Sequence, residues 1–423
     1  MPPRAPSGGY DVAIVGGGPA GTTVASHLAR AGFSVLLCDA AFFPRHKTCG
    51  EYLPPAALGC FDRLGVLDGV ERLGPRRHVG MAVVSPDGTE VLGRYDSGAP
   101  YGLALRRYDL DRVLLENART SGAAVLEGWR AVDLERRPDG LFDLALRPAA
   151  PRPPDDTRRP PGDPSRPPLA RVRARAIVGA DGRNSIVARR LGLRRREPHR
   201  RWAVMGHFRG VRTPDDHGEM IVTPYGYCGI NPLPRGLANV CIVVDPRAPG
   251  GSLPGRAGLE SFFRRRIEEH PRTRERMAGA VLEGGLRATG PMACRAARGV
   301  ADGALLVGDA AGFFDPFTGE GIAMALRGGE FAAEVLAGAL RRGGPTAAAL
   351  APYERLRRGA FAARLRLDRI LQAILARPRL ADRIAAKLRR DPRLADLLAR
   401  VTGDTADAGA LFRPAFLARL LRA

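Results

Sequence analysis

The sequence predicts an α/β (α+β) fold: a Rossmann-type nucleotide-binding domain, an interleaved antiparallel-sheet domain and a set of C-terminal helices. Three observations predict it. The apolar, β-branched run Tyr10–Val15 leads straight into a glycine-rich turn, GGGPAG. Two later apolar runs, Ala176–Gly179 and Ala304–Val307, each end in a loop, and turn-broken strand patterns lie between them. After Pro345 the periodicity becomes helical.

The first element is the most explicit. Gly16, Gly18 and Gly21 stand in G-x-G-x-x-G register between the strand and a helical segment, TTVASHLARAG, that stops at Gly32. Gly16 permits the tight turn, Gly18 lets backbone approach a pyrophosphate beside Ala20, and Gly21 lets the helix pack on the strand. The free N–H groups of the helix start attract phosphate. A second strand from Ser34 ends in Asp39, placed to accept hydrogen bonds from an adenosine ribose and favouring FAD or NAD over NADP. His27, inside the helix, reads as an ordinary packed or surface histidine.

Composition narrows the class. The chain has 423 residues, 45% of them apolar, and a formal charge of +22. Lys47 and Lys387 are its only lysines, and arginine is spread along the chain beside abundant Ala, Gly and Pro. That is the habit of a GC-rich coding sequence, not a nucleic-acid footprint, so no nucleic-acid partner is expected. No run approaches the roughly 18 apolar residues of a membrane span. The start, MPPRAPSGG, lacks a signal-peptide core, which predicts a cytoplasmic protein. Six cysteines without a C-x-x-C pair predict free thiols and no metal site.

Downstream, Ala176–Gly179 leads into ADGRNSIVAR, and Ala304–Val307 into GDAAGFFDPFTGEGIAMAL. With GGGPAG, these motifs resemble the p-hydroxybenzoate hydroxylase superfamily of FAD-dependent oxidoreductases, and within it the geranylgeranyl reductase-like branch, over roughly residues 8–345. The resemblance implies FAD as cofactor. Asp309 would hold the ribityl chain, Pro316 would shape the loop over the isoalloxazine, and Gly319 and Gly321 would admit backbone to the ring. Ile322 opens a helix whose positive end would stabilise reduced flavin. Asp181 matches the superfamily's DG element, Arg107 an R-x-x-(F/L)-D element that contacts FAD, and Ala131 a strand whose backbone meets adenine. With no second complete glycine motif, NAD(P)H would bind transiently in a groove.

The segment PRHKTCGEYLPP resembles the K-x-C-G-(E/G/D) stretch that lies along the flavin in geranylgeranyl reductases. Lys47, Thr48 and Gly50 are thus cofactor contacts. Lys47, Cys49 and Tyr227 are the catalytic candidates, and Glu51 and His46 read equally as proton donors or as a solvated face. Where that branch carries Y-x-W-x-F-P, this chain has Tyr227-Cys228-Gly229-Ile230-Asn231-Pro232, which puts a long isoprenoid substrate in doubt and suits a wider or more polar one.

The predicted FAD-binding domain is discontinuous, over 8–80, 102–195 and 286–345; residues 81–101 and 196–285 form the substrate domain, and 346–423 the helical region. The proline- and charge-rich stretch 148–170 reads as a disordered or polyproline insertion between two strands, with a partner-docking PxxP site as the sharper alternative. Leu367, Ile370, Leu371 and Ile374, then Leu380, Ile384 and Leu388, form apolar stripes expected to pack on the parent domain. A basic amphipathic tail would also suit an anionic membrane surface or an acyl carrier protein.

The implied reaction is NAD(P)H-driven reduction of carbon–carbon double bonds in a lipid-like or carrier-bound small molecule. The alternative is a single-component flavin monooxygenase, hydroxylating or epoxidising its substrate. Against a flavin halogenase stands the missing W-x-W-x-I-P motif, since Trp129 and Trp202 lie far apart. Against a non-enzymatic flavoprotein stands the completeness of the FAD motifs. Oligomeric state is left open.

Overall fold

The computed structural model describes residues 9–95, 101–149, 169–195, 197 and 201–422. The first strand, Gly9–Val15, is central in an eight-stranded sheet. Ala304–Leu306, Ala170–Gly179, Gly9–Val15, Val35–Asp39 and Ala124–Glu127 lie side by side in that order, all parallel. Both faces of this core are covered, which is why the first strand is apolar at consecutive positions. Val12 and Ile14 pack with the helices Pro19–Arg30 and Gly321–Arg341. Ala13 and Val15 share the opposite cluster with Trp129, Leu134 and Phe142. Those three come from a hairpin, Trp129–Arg136 with Phe142–Pro148, that adds antiparallel to the early half of Ala170–Gly179. The insertion expected at 148–170 falls between these strands; its residues 150–168 lie outside the described residues.

A second sheet has seven strands, in the order Val281–Thr289, Trp202–Arg209, Leu237–Val244, Gly226–Pro232, His217–Thr223, Gly80–Val84 and Glu90–Arg94. Neighbours are antiparallel except His217–Thr223 with Gly80–Val84. Alternation gives this sheet two different faces. Val204, Cys228, Ile230, Val240 and Ile242 pack beneath the helix Leu259–Glu268. Ala203, Met205, Tyr227, Cys241 and Val243 turn the other way, toward Met292, Phe313 and Phe317. Gly102–Ala104 joins Tyr52–Leu53 and Arg76–His78 in a separate three-stranded sheet.

The C-terminal region is helical, and the expected stripes pack in part: Leu367 and Leu371 share one apolar cluster, and Ile384 and Leu388 another with Val91 of the second sheet. In the helix Ala347–Leu375 the buried face carries Arg364, Asp368 and Gln372 beside Leu367, while Ile370 is 40% exposed. Leu380, in the helix Pro378–Arg390, is 39% exposed. The long helix packs Leu350, Tyr353 and Phe361 into the core of the first sheet, and in its later turns Arg364, Asp368 and Gln372 face a polar loop. The following helix, Pro392–Thr402, sits directly on the second sheet: a Cβ on Gly93 would come within 2.5 Å of the Ala395 carbonyl oxygen. Among the described residues, no helix is long and apolar enough to cross a membrane.

Candidate active site

The glycine loop is built as its spacing requires. Gly16 has φ +109°, and a Cβ there would collide with the Ala180 carbonyl. A Cβ on Gly21 would collide with the carbonyl of Gly16, so strand and helix can approach only without a side chain. A Cβ on Gly18 would meet nothing nearer than an Arg45 guanidinium nitrogen at 3.8 Å, because this residue opens into a cavity. Asp39 holds the loop in place: its carboxylate accepts the Gly17 and Ala41 N–H groups, each at 2.8 Å.

The cavity, of about 1060 Å³, runs from this loop to the inner face of the seven-stranded sheet. Every residue expected from sequence to touch cofactor or substrate lines it except Gly21, which lies under the loop in its packing role. Arg45, Lys47, Arg107 and Arg183 give it a cationic stretch. Arg107 is buried and locked in a two-pronged pair with Asp111 at 2.7 and 2.8 Å, and Asp111 also pairs with Arg45 at 3.1 Å. Lys47 reaches into the cavity and is crowded there. Desolvation lowers its pKa, the Arg45 and Arg107 charges lower it further, and Asp309 opposes them. Burial raises the pKa of Asp309, opposed by Lys47, Arg183 and Arg107.

Glu51 departs from the solvated reading. It is 2% exposed, at φ +57°, and its carboxylate is a junction. It accepts the Arg107 N–H at 2.9 Å and the Asn239 amide at 2.9 Å, and bonds His207 Nε2 at 2.7 Å. Asn239 also donates to the Cys49 carbonyl at 2.9 Å, and Asn231 to that of Gly50 at 3.1 Å. The Lys47–Glu51 segment is therefore stapled to the second sheet by side chains distant in sequence. Asn231, expected to add polarity to the substrate pocket, spends its donor on this staple. Burial raises the pKa of the Cys49 thiol, which keeps it protonated.

Tyr227 is buried on the cavity wall, its hydroxyl donating to Asp315 at 2.6 Å. In this structure its proton is donated to Asp315. Asp315 also accepts the Gln372 amide at 2.8 Å and the Phe317 N–H at 3.1 Å, and pairs with Arg201 at 3.4 Å. Among the described residues, no group of three or more His, Cys, Asp or Glu is placed to hold a metal ion.

A family model described as an FAD binding domain matches residues 9–366. The chain belongs to this FAD-binding family. Its place is in the p-hydroxybenzoate hydroxylase superfamily, and it is an FAD-dependent enzyme. It is 31% identical to a menaquinone reductase of Mycobacterium tuberculosis over 338 residues, 76% of this chain and 75% of the relative. It is 25% identical to a 1H-pyrrole-2-carbonyl-[peptidyl-carrier protein] chlorinase of Pseudomonas fluorescens, over 77% and 75% of the two. A conditioned medium factor receptor 1 of Dictyostelium discoideum is 29% identical, and the chain spans only 62% of its length. Among solved structures, a flavoprotein/dehydrogenase from Cytophaga hutchinsonii superposes with a TM-score of 0.80 at 20% identity, covering 96% of this chain and 95% of that one. A flavin-dependent brominase superposes at 0.78 and 20% identity, over 98% and 100%. Both share the fold.

The residues of this FAD-binding chain fit the cofactor on their own evidence. Gly18 leaves an open cradle beside Arg45 and Lys47, suited to a pyrophosphate. Trp129 Nε1 and one oxygen of Asp181 are buried at the cavity without a protein partner, as groups awaiting a ligand would be. The helix Gly321–Arg341 starts at the cavity wall. Sequence reasoning missed Arg45, His207, Asn239, Asp315 and the helix residues behind them. Arg45 and Asp315 lie inside the PRHKTCGEYLPP and GDAAGFFDPFTGEGI motifs and were passed over there, whereas His207, Asn239 and the helix residues stand in no motif.

Proposed function

We propose that this enzyme uses NAD(P)H to reduce a carbon–carbon double bond in a lipid-like or carrier-bound small molecule. One observation carries the reading. The cationic nucleotide stretch and an apolar chamber of Met81, Met220, Gly229, Cys241, Val243, Met292 and Phe317 are parts of one continuous cavity. Hydride transfer needs the acceptor carbon in contact with its donor, and a continuous cavity allows that contact. The 31% identity to a menaquinone reductase and the anchored Lys47–Glu51 segment support it.

When bound, FAD would supply two-electron hydride chemistry between NAD(P)H and the alkene. The protein's part is positional and protic. Arg45, Lys47 and Arg107 hold the anionic dinucleotide, and the sheet's inner face holds the alkene and excludes water. Hydride enters one alkene carbon and a proton the other; the neutral Cys49 thiol, on the cavity wall, is the nearby donor and regains its proton from solvent. The arginine-rich surface complements an anionic membrane or an acidic carrier protein, either of which would deliver such a substrate.

The chlorinase and brominase likenesses favour a second reading, oxygen-dependent chemistry on the same reduced flavin. One experiment separates the two. The holoenzyme is reduced anaerobically, a candidate alkene such as a prenylated quinone is added, and flavin reoxidation is followed without oxygen. Return of the oxidised spectrum with a saturated product supports the reductase. Reoxidation only on admitting oxygen, with a hydroxylated, epoxidised or halogenated product, overturns it.

A further inference from the structure

The long helix Ala347–Leu375 turns an unexpected face inward. Arg364, Asp368 and Gln372 follow one another at i, i+4 and i+8, and all are more than nine-tenths buried. Apolar side chains at such positions would ordinarily stabilise a protein at least as well, since buried charges carry a desolvation penalty. Each of the three reaches a different polar residue of one loop, Asp315–Gly321. Gln372 donates to Asp315 at 2.8 Å, Asp368 accepts from the Thr318 hydroxyl at 3.0 Å, and Arg364 pairs with Glu320. Arg364 is fastened behind by Asp404 and by the Val401 carbonyl at 3.2 Å. The cavity-facing side of the same loop carries Pro316, Gly319 and Gly321.

We propose that Arg364, Asp368 and Gln372 are a rack of positioning residues that sets the loop Asp315–Gly321 against the flavin. Through Asp315 the rack also reaches Tyr227 of the substrate wall and the buried Arg201, so cofactor position and substrate wall share one hub. The inference rests on FAD occupying the main cavity. None of the three helix residues lines that cavity, so they act through the loop and not on the cofactor directly. Burial also raises the pKa of Glu320 to about 7, opposed by Arg364. Asp368 rises to about 8, first from burial and then from Glu320 and Asp315, opposed by Thr318 and Arg364. Burial thus pushes Asp368 of the rack and Glu320 of the loop up toward neutrality.

The test uses full-length holoenzyme and the variants Gln372→Leu, Asp368→Asn and Thr318→Val, with Arg364→Lys as a conservative replacement. FAD dissociation constant, anaerobic two-electron reduction potential, and melting temperature with and without FAD are measured for each. Gln372→Leu and Asp368→Asn are expected to weaken FAD binding about tenfold. Unequal effects on the oxidised and reduced cofactor are expected to move the potential by up to about 30 mV, the equivalent of tenfold for a two-electron couple. Thr318→Val and Asp368→Asn should be non-additive, as two ends of one contact. If each variant shifts the melting temperature by the same amount with and without FAD, and leaves affinity and potential within twofold, the helix is ordinary packing and the rack is wrong. Failure of the unmodified protein to bind FAD would overturn the cofactor assignment, and the rack with it.

Discussion

The two ends of the cavity are made in opposite ways. At the nucleotide end the geometry is backbone: Gly16, Gly18 and Gly21 act by lacking side chains, and Asp39 ties the loop with two main-chain hydrogen bonds. At the flavin and substrate end it is a mesh of side chains drawn from four separate parts of the sequence. Glu51, His207 and Asn239 anchor one strip, and Asp315, Tyr227 and Gln372 anchor another. The lesson concerns tolerance. A backbone cradle fails outright when a Cβ enters it, whereas a side-chain mesh loosens by degrees and can alter chemistry without losing the cofactor.

Five variants would break or sharpen that contrast. The largest effect belongs to Gly16→Val, where both φ and the Ala180 carbonyl forbid a side chain. The purified protein should carry no flavin absorbance, and chemical denaturation should show a loss of about 1–3 kcal/mol. Next is Glu51→Gln, which keeps the shape of the junction and removes its charge opposite His207. Turnover should fall at least roughly tenfold, the equivalent of about 1.4 kcal/mol, with FAD content unchanged by absorbance. Loss of flavin instead would show that the strip belongs to the cofactor cradle.

Smaller effects come from the rack and the chamber. The Asp368 carboxyl has an ordinary pKa of 3.8 and one of about 8 in the fold. Between those values the folded state keeps a proton that the unfolded chain has released, so its stability is fullest below the window and falls as pH rises through it. Asp368→Asn should flatten that decline and raise the melting temperature at pH 8–9 by on the order of several degrees. A melting curve series whose pH slope is unchanged would show that Asp368 is ionised in the fold. Least disruptive is Gly229→Ala: its Cβ would meet Met220 at 3.6 Å, an ordinary contact. Stability should change by less than about 0.5 kcal/mol, while Gly229→Trp should raise KM for bulky alkenes and leave FAD affinity alone, as steady-state kinetics and flavin titration would show.

By itself the sequence determined a dinucleotide-binding fold, because its signals are local, and the resemblance of its later motifs implied FAD. A glycine that must lack a side chain, an acid ending a strand and an apolar run ahead of a loop are each readable within a few residues, as Gly16, Asp39 and Ala304–Val307 are. It also placed Lys47, Cys49, Asp309 and Gly319 at one cavity, since each sits in a contiguous motif. Glu51 and the long helix were beyond that kind of reading. Whether a carboxylate is solvated or buried depends on whether His207 and Asn239 fold over it, and whether Arg364, Asp368 and Gln372 face water or Asp315–Gly321 depends on how the helix is docked. Only the tertiary structure decided those, because hydrogen bonds between distant segments are set by packing, and a polar i, i+4, i+8 stripe reads the same in the chain whether it faces water or a loop.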